Sequence, residues 1–152
     1  RQINAAPQIE YQCAAMEDLR FPAESFDVIV SSLAFHYVKE FEPLAENICQ
    51  WLRPGGHLVY AVPTARHLFG LKEILYDCPY ENEVRQTEYD GFAFVKAVES
   101  TAVITLEGQS VQDLFAMTPY YWNTPADGAA RLAECESLTT EIGFRFLVYQ
   151  KV

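Results

Sequence analysis

The apolar positions fall into two alternating rhythms. Over residues 25–32 (SFDVIVSS), Phe26, Val28, Ile29 and Val30 form a nearly continuous β-rich run. Such a run predicts a parallel strand covered on both faces. Phe41, Leu44, Ala45, Ile48 and Leu52 then recur at spacings of three and four, which predicts an amphipathic helix over 40–52. It stops at Arg53-Pro54-Gly55-Gly56, where a proline and paired glycines turn the chain. The HLVYAV run at 57–62 is the next buried strand, ended by Pro63. Strand, helix, turn and strand in this order predict a crossover in a parallel sheet.

Weaker signals flank this unit. Residues 9–14 can form a short strand, followed by a turn-rich connection at 17–22. A second helix is expected over 66–76, with Leu68, Leu71, Ile74 and Leu75 on one face. Residues 77–91 are polar and irregular. Residues 92–106 carry β-branched and aromatic side chains, strongest as a strand at 97–106. Ser110 is placed to cap a short helix through Ala116. Residues 117–124 read as an aromatic loop and 127–136 as a helix. The final run, GFRFLVYQK at 143–151, alternates cleanly, with Phe144, Phe146 and Val148 opposite Arg145, Leu147 and Tyr149. The last two strands suit an antiparallel hairpin. Residues 1–7 read as a helix end or loop.

Composition narrows the class. Of 152 residues, 50% are hydrophobic and 14% aromatic, enough for a packed core in a single domain. The net charge of −10 opposes a phosphate backbone, so these residues alone do not form a nucleic-acid grip. Cys13, Cys49, Cys78 and Cys135 lie too far apart for a CxxC metal site, and they read as buried or free thiols in a reducing compartment. No metal is expected. No apolar run approaches the ~20 residues of a membrane helix, and no leader is evident, so a cytoplasmic location without membrane contact is expected.

The run from Met16 through Glu17-Asp18-Leu19-Arg20-Phe21-Pro22 to Ser25-Phe26-Asp27-Val28-Ile29-Val30-Ser31-Ser32, followed by Leu52-Arg53-Pro54-Gly55-Gly56-His57-Leu58, resembles the middle motifs of class I S-adenosylmethionine (SAM) dependent methyltransferases. The resemblance implies an α/β, Rossmann-like sheet of strand order 3-2-1-4-5-7-6, mostly parallel with an antiparallel last strand. It implies that residues 1–152 are the carboxy-terminal portion of one methyltransferase domain, strands three to seven, with strands one and two missing. SAM is the implied cofactor. The loop holding Met16, Glu17 and Asp18 would touch its adenine. Ser31, Ser32 and Leu33, at the carboxyl end of the fourth strand, would lie where donor meets acceptor. His36 is the candidate general base, with packing above the sheet as its alternative role. Tyr37 follows on the same loop as a substrate contact. Gly55 and Gly56 are read as structural. The Gly-rich loop and ribose-binding acid of the fold are not found in the chain, so these residues alone are not expected to bind SAM well.

The second half resembles a narrower group. His67-Leu68-Phe69-Gly70-Leu71-Lys72 with Leu75-Tyr76, then Gly91-Phe92, then Met117-Thr118-Pro119-Tyr120-Tyr121-Trp122, look like elements of the bacterial 23S rRNA (guanine-N1)-methyltransferases. The loop Ser32-Leu33-Ala34-Phe35-His36-Tyr37 is closer to small-molecule methyltransferases. The resemblance implies His67, Tyr120, Tyr121 and Trp122 as substrate contacts. The three aromatic residues either stack an extruded base or pack the last helix on the sheet. Arg66, His67 and Lys72 form a local basic cluster or a solvated helix face. Three functions stay open: methylation of guanine N1 in rRNA, methylation of a small molecule, or a cofactor-free binding or regulatory module. The partner is accordingly rRNA or a small acceptor, and a homodimer is left open.

Overall fold

The computed structural model describes residues 8–85 and 87–152, with the side chain of His36 excluded; the expected opening segment 1–7 lies outside them. Four strands form one sheet: β1 (Phe26–Ser32), β2 (Leu52–Pro63), β3 (Phe92–Glu107) and β4 (Ser137–Lys151). Their spatial order is β1-β2-β4-β3. β1 and β2 run parallel, with Val30 beside Val59, and β4 runs antiparallel to both β2 and β3. This is the 4-5-7-6 portion of the expected sheet, with the last strand in the chain inserted antiparallel. The long β3–β4 ladder, from Phe92↔Lys151 to Glu107↔Ser137, is the expected hairpin at greater length.

The crossover from β1 to β2 is helix α1 (Phe41–Trp51). Its buried face, Leu44, Ala45, Ile48 and Trp51, is the predicted stripe. It packs on Leu52, Leu58 and Tyr60 of β2 and on Leu147 and Tyr149 of β4. The turn after α1 needs its glycines. Gly55 has φ +75°, and a Cβ on Gly56 would meet the carbonyl oxygens of Arg53 at 2.9 Å and Asp27 at 3.0 Å. Residues 53–56 bulge between Phe26↔Leu52 and Val28↔His57.

A second, smaller core lies toward the other end of the hairpin. Leu71 and Leu75 of α2 (Phe69–Leu75), Val111 and Phe115 of α3 (Gln109–Ala116) and Leu132 of α5 (Ala126–Ala133) close on Leu138 of β4. Each fully buried leucine here contributes about 1.5–3 kcal/mol. A single turn, α4 (Tyr120–Asn123), joins α3 to α5.

Several local expectations are corrected. Residues 9–14 pair with no strand, and Ile9 and Tyr11 stand exposed. A strand exists through its ladder, and the edge of β1 away from β2 has no neighbour among the described residues. The apolar run of β1 is covered on one face only: Ile29 packs toward the α1 core, while Val28 and Val30 on the opposite face are 52% and 71% exposed. The second helix starts at Phe69 rather than Arg66, because Leu68 takes a left-handed conformation, φ +56°. Gly108, not Ser110, precedes α3 as its N-cap, and Ser110 lies inside the helix. The aromatic stretch 117–124 is partly helical. The parity of the last strand is resolved with Leu147 and Tyr149 inward and Phe146 outward.

Candidate functional site

The parallel strands β1 and β2 end side by side, with Ser31 opposite Tyr60 and Ser32 opposite Ala61. The carboxyl edge of such a sheet is where open α/β folds bind ligands. Beyond β1 the chain turns through Leu33 (φ +54°) into a short 3-10 turn at Phe35–Tyr37. Beyond β2, Pro63 ends the strand and residues 64–68 fold back against β4. Thr64 N donates to Gly143 O at 3.1 Å, and Leu68 N donates to Glu141 O at 2.7 Å. Leucine in the left-handed region costs on the order of 1 kcal/mol. Leu68 is held there by its buried side chain and the bond to Glu141.

Between these ends lies a cavity of about 420 Å³. Its walls are Ser31, Leu33, Phe35 and Tyr37 from the β1 side, Tyr60 to Pro63 with His67 and Leu68 from the β2 side, and Met117 to Tyr120 across the opening. Among the described residues no Asp, Glu, Lys or Arg lines it. The volume lies in the range of small-molecule sites, and so does the apolar wall with few polar groups.

The polar groups have distinct environments. The ring of His67 accepts a hydrogen bond at Nδ1 from Gly143 N, 3.2 Å away, and lies against Phe144 with centroids 4.8 Å apart. Burial holds its pKa below the ordinary 6.5 and the charge of Lys72 adds to this; the Gly143 backbone and Glu141 oppose it without reversing it. His67 is therefore neutral at pH 7. The Tyr60 hydroxyl shares a hydrogen bond with that of Tyr89 at 3.2 Å, and its ring stacks on Tyr149. Burial first, then its tyrosine neighbours, push the Tyr60 pKa far up. Burial pushes Tyr120 up to about 12. Both phenols stay protonated near neutrality and cannot serve as bases.

Lys72 stands behind this wall and is completely buried. Its Nζ donates to Asn82 Oδ1 at 2.7 Å and Tyr80 O at 3.0 Å, and sits 4.1 Å from the Tyr80 ring centroid and 5.7 Å from that of Tyr120. Burial lowers its pKa. The expected basic cluster is thus dispersed. Arg66 pairs on the surface with Glu81 at 2.9 Å, His67 lines the cavity, and Lys72 is a core cation.

A smaller hollow of about 250 Å³ lies beside β1. Met16, Leu19, Ile29, Ser31, Ser32 and Phe35 line it together with Leu44, Ile48 and Trp51. Ser31 borders both spaces.

Of the residues singled out in the sequence, the structure gathers Met16, Ser31 and Ser32 at the smaller hollow and Ser31, Leu33, Tyr37, His67 and Tyr120 at the larger cavity. Glu17 and Asp18 sit exposed on a 3-10 turn and line neither. Tyr121 and Trp122 line neither space. They contact each other edge-to-face at 5.0 Å, and Trp122 is 81% exposed. Tyr120, Tyr121 and Trp122 therefore form no single platform. They sit on one turn of helix, whose successive side chains diverge. The His36 side chain lies outside the described residues. Sequence reasoning missed Tyr60, Phe35 and the Met117-Thr118-Pro119 wall as site residues. The only local signal for Tyr60 was its place near the carboxyl end of a parallel strand.

Residues 1–60 match the family model described as a methyltransferase domain. The Bacillus subtilis protein YxjB, provisionally named a 23S rRNA (guanine-N(1)-)-methyltransferase, is 28% identical over 136 residues, 86% of this chain and 46% of that protein. The human mitochondrial ubiquinone biosynthesis O-methyltransferase is 26% identical over 121 residues, 76% of this chain and 33% of that protein. The chain thus spans less than half the length of these relatives. Among solved structures, a methyltransferase from Bacillus halodurans, so assigned provisionally, matches with TM-score 0.53 and 13% identity over 97% of this chain and 74% of that one. The [4+2]-cyclase SpnF matches with TM-score 0.50 and 13% identity over 96% of this chain and 58% of that one. The shared fold therefore does not by itself name a reaction.

Proposed function

We propose that this chain, which carries the class I SAM-dependent methyltransferase fold and its middle sequence motifs, supplies the acceptor side of a methyl-transfer site whose substrate is guanine N1 of 23S rRNA. The observation that carries the reading is the cavity at the carboxyl ends of β1 and β2, which shares Ser31 and Phe35 as wall residues with the smaller hollow. The acceptor ring would occupy the larger space and the cofactor would approach from the smaller one. The apolar walls of the smaller hollow and its Ser31 and Ser32 hydroxyls fit the adenosine end of SAM. Met16 and Ser32 would line it, Ser31 and Leu33 would border the meeting point, and Glu17 and Asp18 would lie at its rim.

The cofactor supplies an electrophilic methyl group. The residues of this chain supply shape, orientation and exclusion of water, which for an in-line displacement account for much of the rate. Tyr37, Tyr60 and Tyr120 give the cavity flat walls suited to a planar ring. The guanine reading is supported by the alignment with YxjB, which runs across both halves of the chain. Incubating the whole protein with methyl-labelled SAM and transcribed 23S rRNA tests it. N1-methylguanosine in the digested RNA is the expected product. Absence of label from RNA, with SAM bound, sinks it.

A small planar acceptor is the second reading. The net charge of −10 and the uncharged cavity favour it. It predicts label transfer to phenolic or heteroaromatic small molecules that ribonuclease does not affect.

A further inference from the structure

Two of the hydroxyls that line the larger cavity are committed within the protein. The Tyr60 hydroxyl is engaged with Tyr89, and Thr118 Oγ1 donates to Phe115 O at 2.8 Å. His67 differs from them in offering two nitrogens. A neutral imidazole has one donor and one acceptor nitrogen. Nδ1 accepts from Gly143 N, so the proton resides on Nε2. Nε2 has no hydrogen-bond partner among the described residues.

The ring is held on several sides. Gly143 and Phe144 approach from β4, the backbone N of His67 donates to Thr64 O at 3.2 Å, and the next residue is tied to Glu141. The charged groups that act on it are Lys72 from α2 and Glu141 from β4.

We propose that His67 is the fixed hydrogen-bond donor of the cavity, presenting Nε2–H to a lone pair on an uncharged planar methyl acceptor. This rests on the acceptor-site reading above. It identifies the ligand by chemistry: a flat heteroaromatic ring bearing a carbonyl oxygen or an unprotonated ring nitrogen, as guanine does. An analogue without that lone pair would leave a donor unpaired in an apolar space, and a site built this way rejects it. His67 is also excluded as the base, because Nδ1 is engaged and Nε2 already holds its proton.

Asparagine and glutamine separate this role from a structural one. An Asn side-chain oxygen can replace Nδ1 and keep the Gly143 bond, but it removes the donor at the Nε2 position. A Gln amide reaches that position and can restore the donor. The experiment is NMR titration of the whole protein with guanosine, comparing wild type, His67→Asn and His67→Gln, with folding of each checked by thermal melting. Ring-nitrogen spectra of wild-type His67 should show the neutral form with the proton on Nε2. Guanosine should bind wild type and His67→Gln, and bind His67→Asn about tenfold more weakly. Equal affinity in all three variants overturns the donor role and leaves the cavity reading intact. Guanosine binding to none of them overturns the donor role together with the guanine reading. A proton on Nδ1 overturns the inference whatever the titration shows.

Discussion

Buried Lys72 and half-buried Asn82 form a pair, Nζ to Oδ1 at 2.7 Å, that ties α2 to the segment leading away from it. Asn82 works in both directions, since its Nδ2 donates to Thr64 O at 2.8 Å and its backbone N donates to Ala65 O at 2.8 Å. One amide therefore links the core cation to the turn that carries His67.

Removing that amide leaves a buried ammonium short of a partner. Asn82→Ala should destabilise the chain by about 2–3 kcal/mol. Lys72→Met, which removes the charge and retains most of the volume, should cost less than Asn82→Ala. Denaturant midpoints for the two variants give the comparison, and the reverse order would show that the cation is not what Asn82 satisfies.

The carboxyl end of α2 is closed by α5. Arg131 donates from Nε to Ile74 O at 2.9 Å and from Nη2 to Leu75 O at 3.2 Å, satisfying carbonyls that a helix end leaves open. Gly128 lies against the same Leu75 carbonyl, which an added Cβ would strike. Gly128→Ala should therefore cost about 1–3 kcal/mol by overpacking, and Arg131→Met about 1 kcal/mol. Chemical denaturation reads both.

The depressed pKa of His67 makes stability depend on pH in a defined direction. The unfolded chain binds this proton more readily than the folded one. The contribution is therefore fully present above about pH 6.5 and declines as pH falls from there to the folded value. Melting temperatures at pH 7.5, 6.5 and 5.5 should fall more steeply for wild type than for His67→Gln. Parallel slopes would contradict the assignment.

The two tryptophans report opposite environments. Trp51 is 6% exposed in the α1 core and Trp122 is 81% exposed on α4. Acrylamide should quench the fluorescence in two phases, and Trp122→Phe should remove the accessible phase while changing stability by no more than about 0.5 kcal/mol. A single phase would mean that α4 is covered.

The order of elements was legible because its signals are local. The β-rich run of β1, the three-four spacing of α1, the turn at Pro54-Gly55-Gly56 and the alternation of β4 each act within a few residues. The sequence by itself determined an α/β crossover followed by an antiparallel hairpin, and it placed Ser31, Leu33 and Tyr37 on one carboxyl edge. Only the tertiary structure decided which distant residues share the cavity. Ser31, the Tyr60-to-His67 segment and Met117 come from three separate stretches, and no spacing relates them. It also decided that Lys72 is a core cation, because its partners at Tyr80 and Asn82 lie in a segment without periodicity. Tyr121 and Trp122 turn away from the site their neighbour Tyr120 lines, because one turn of helix points successive side chains in different directions. Composition and periodicity specify which faces must be buried; against what they are buried is settled by packing across the sheet.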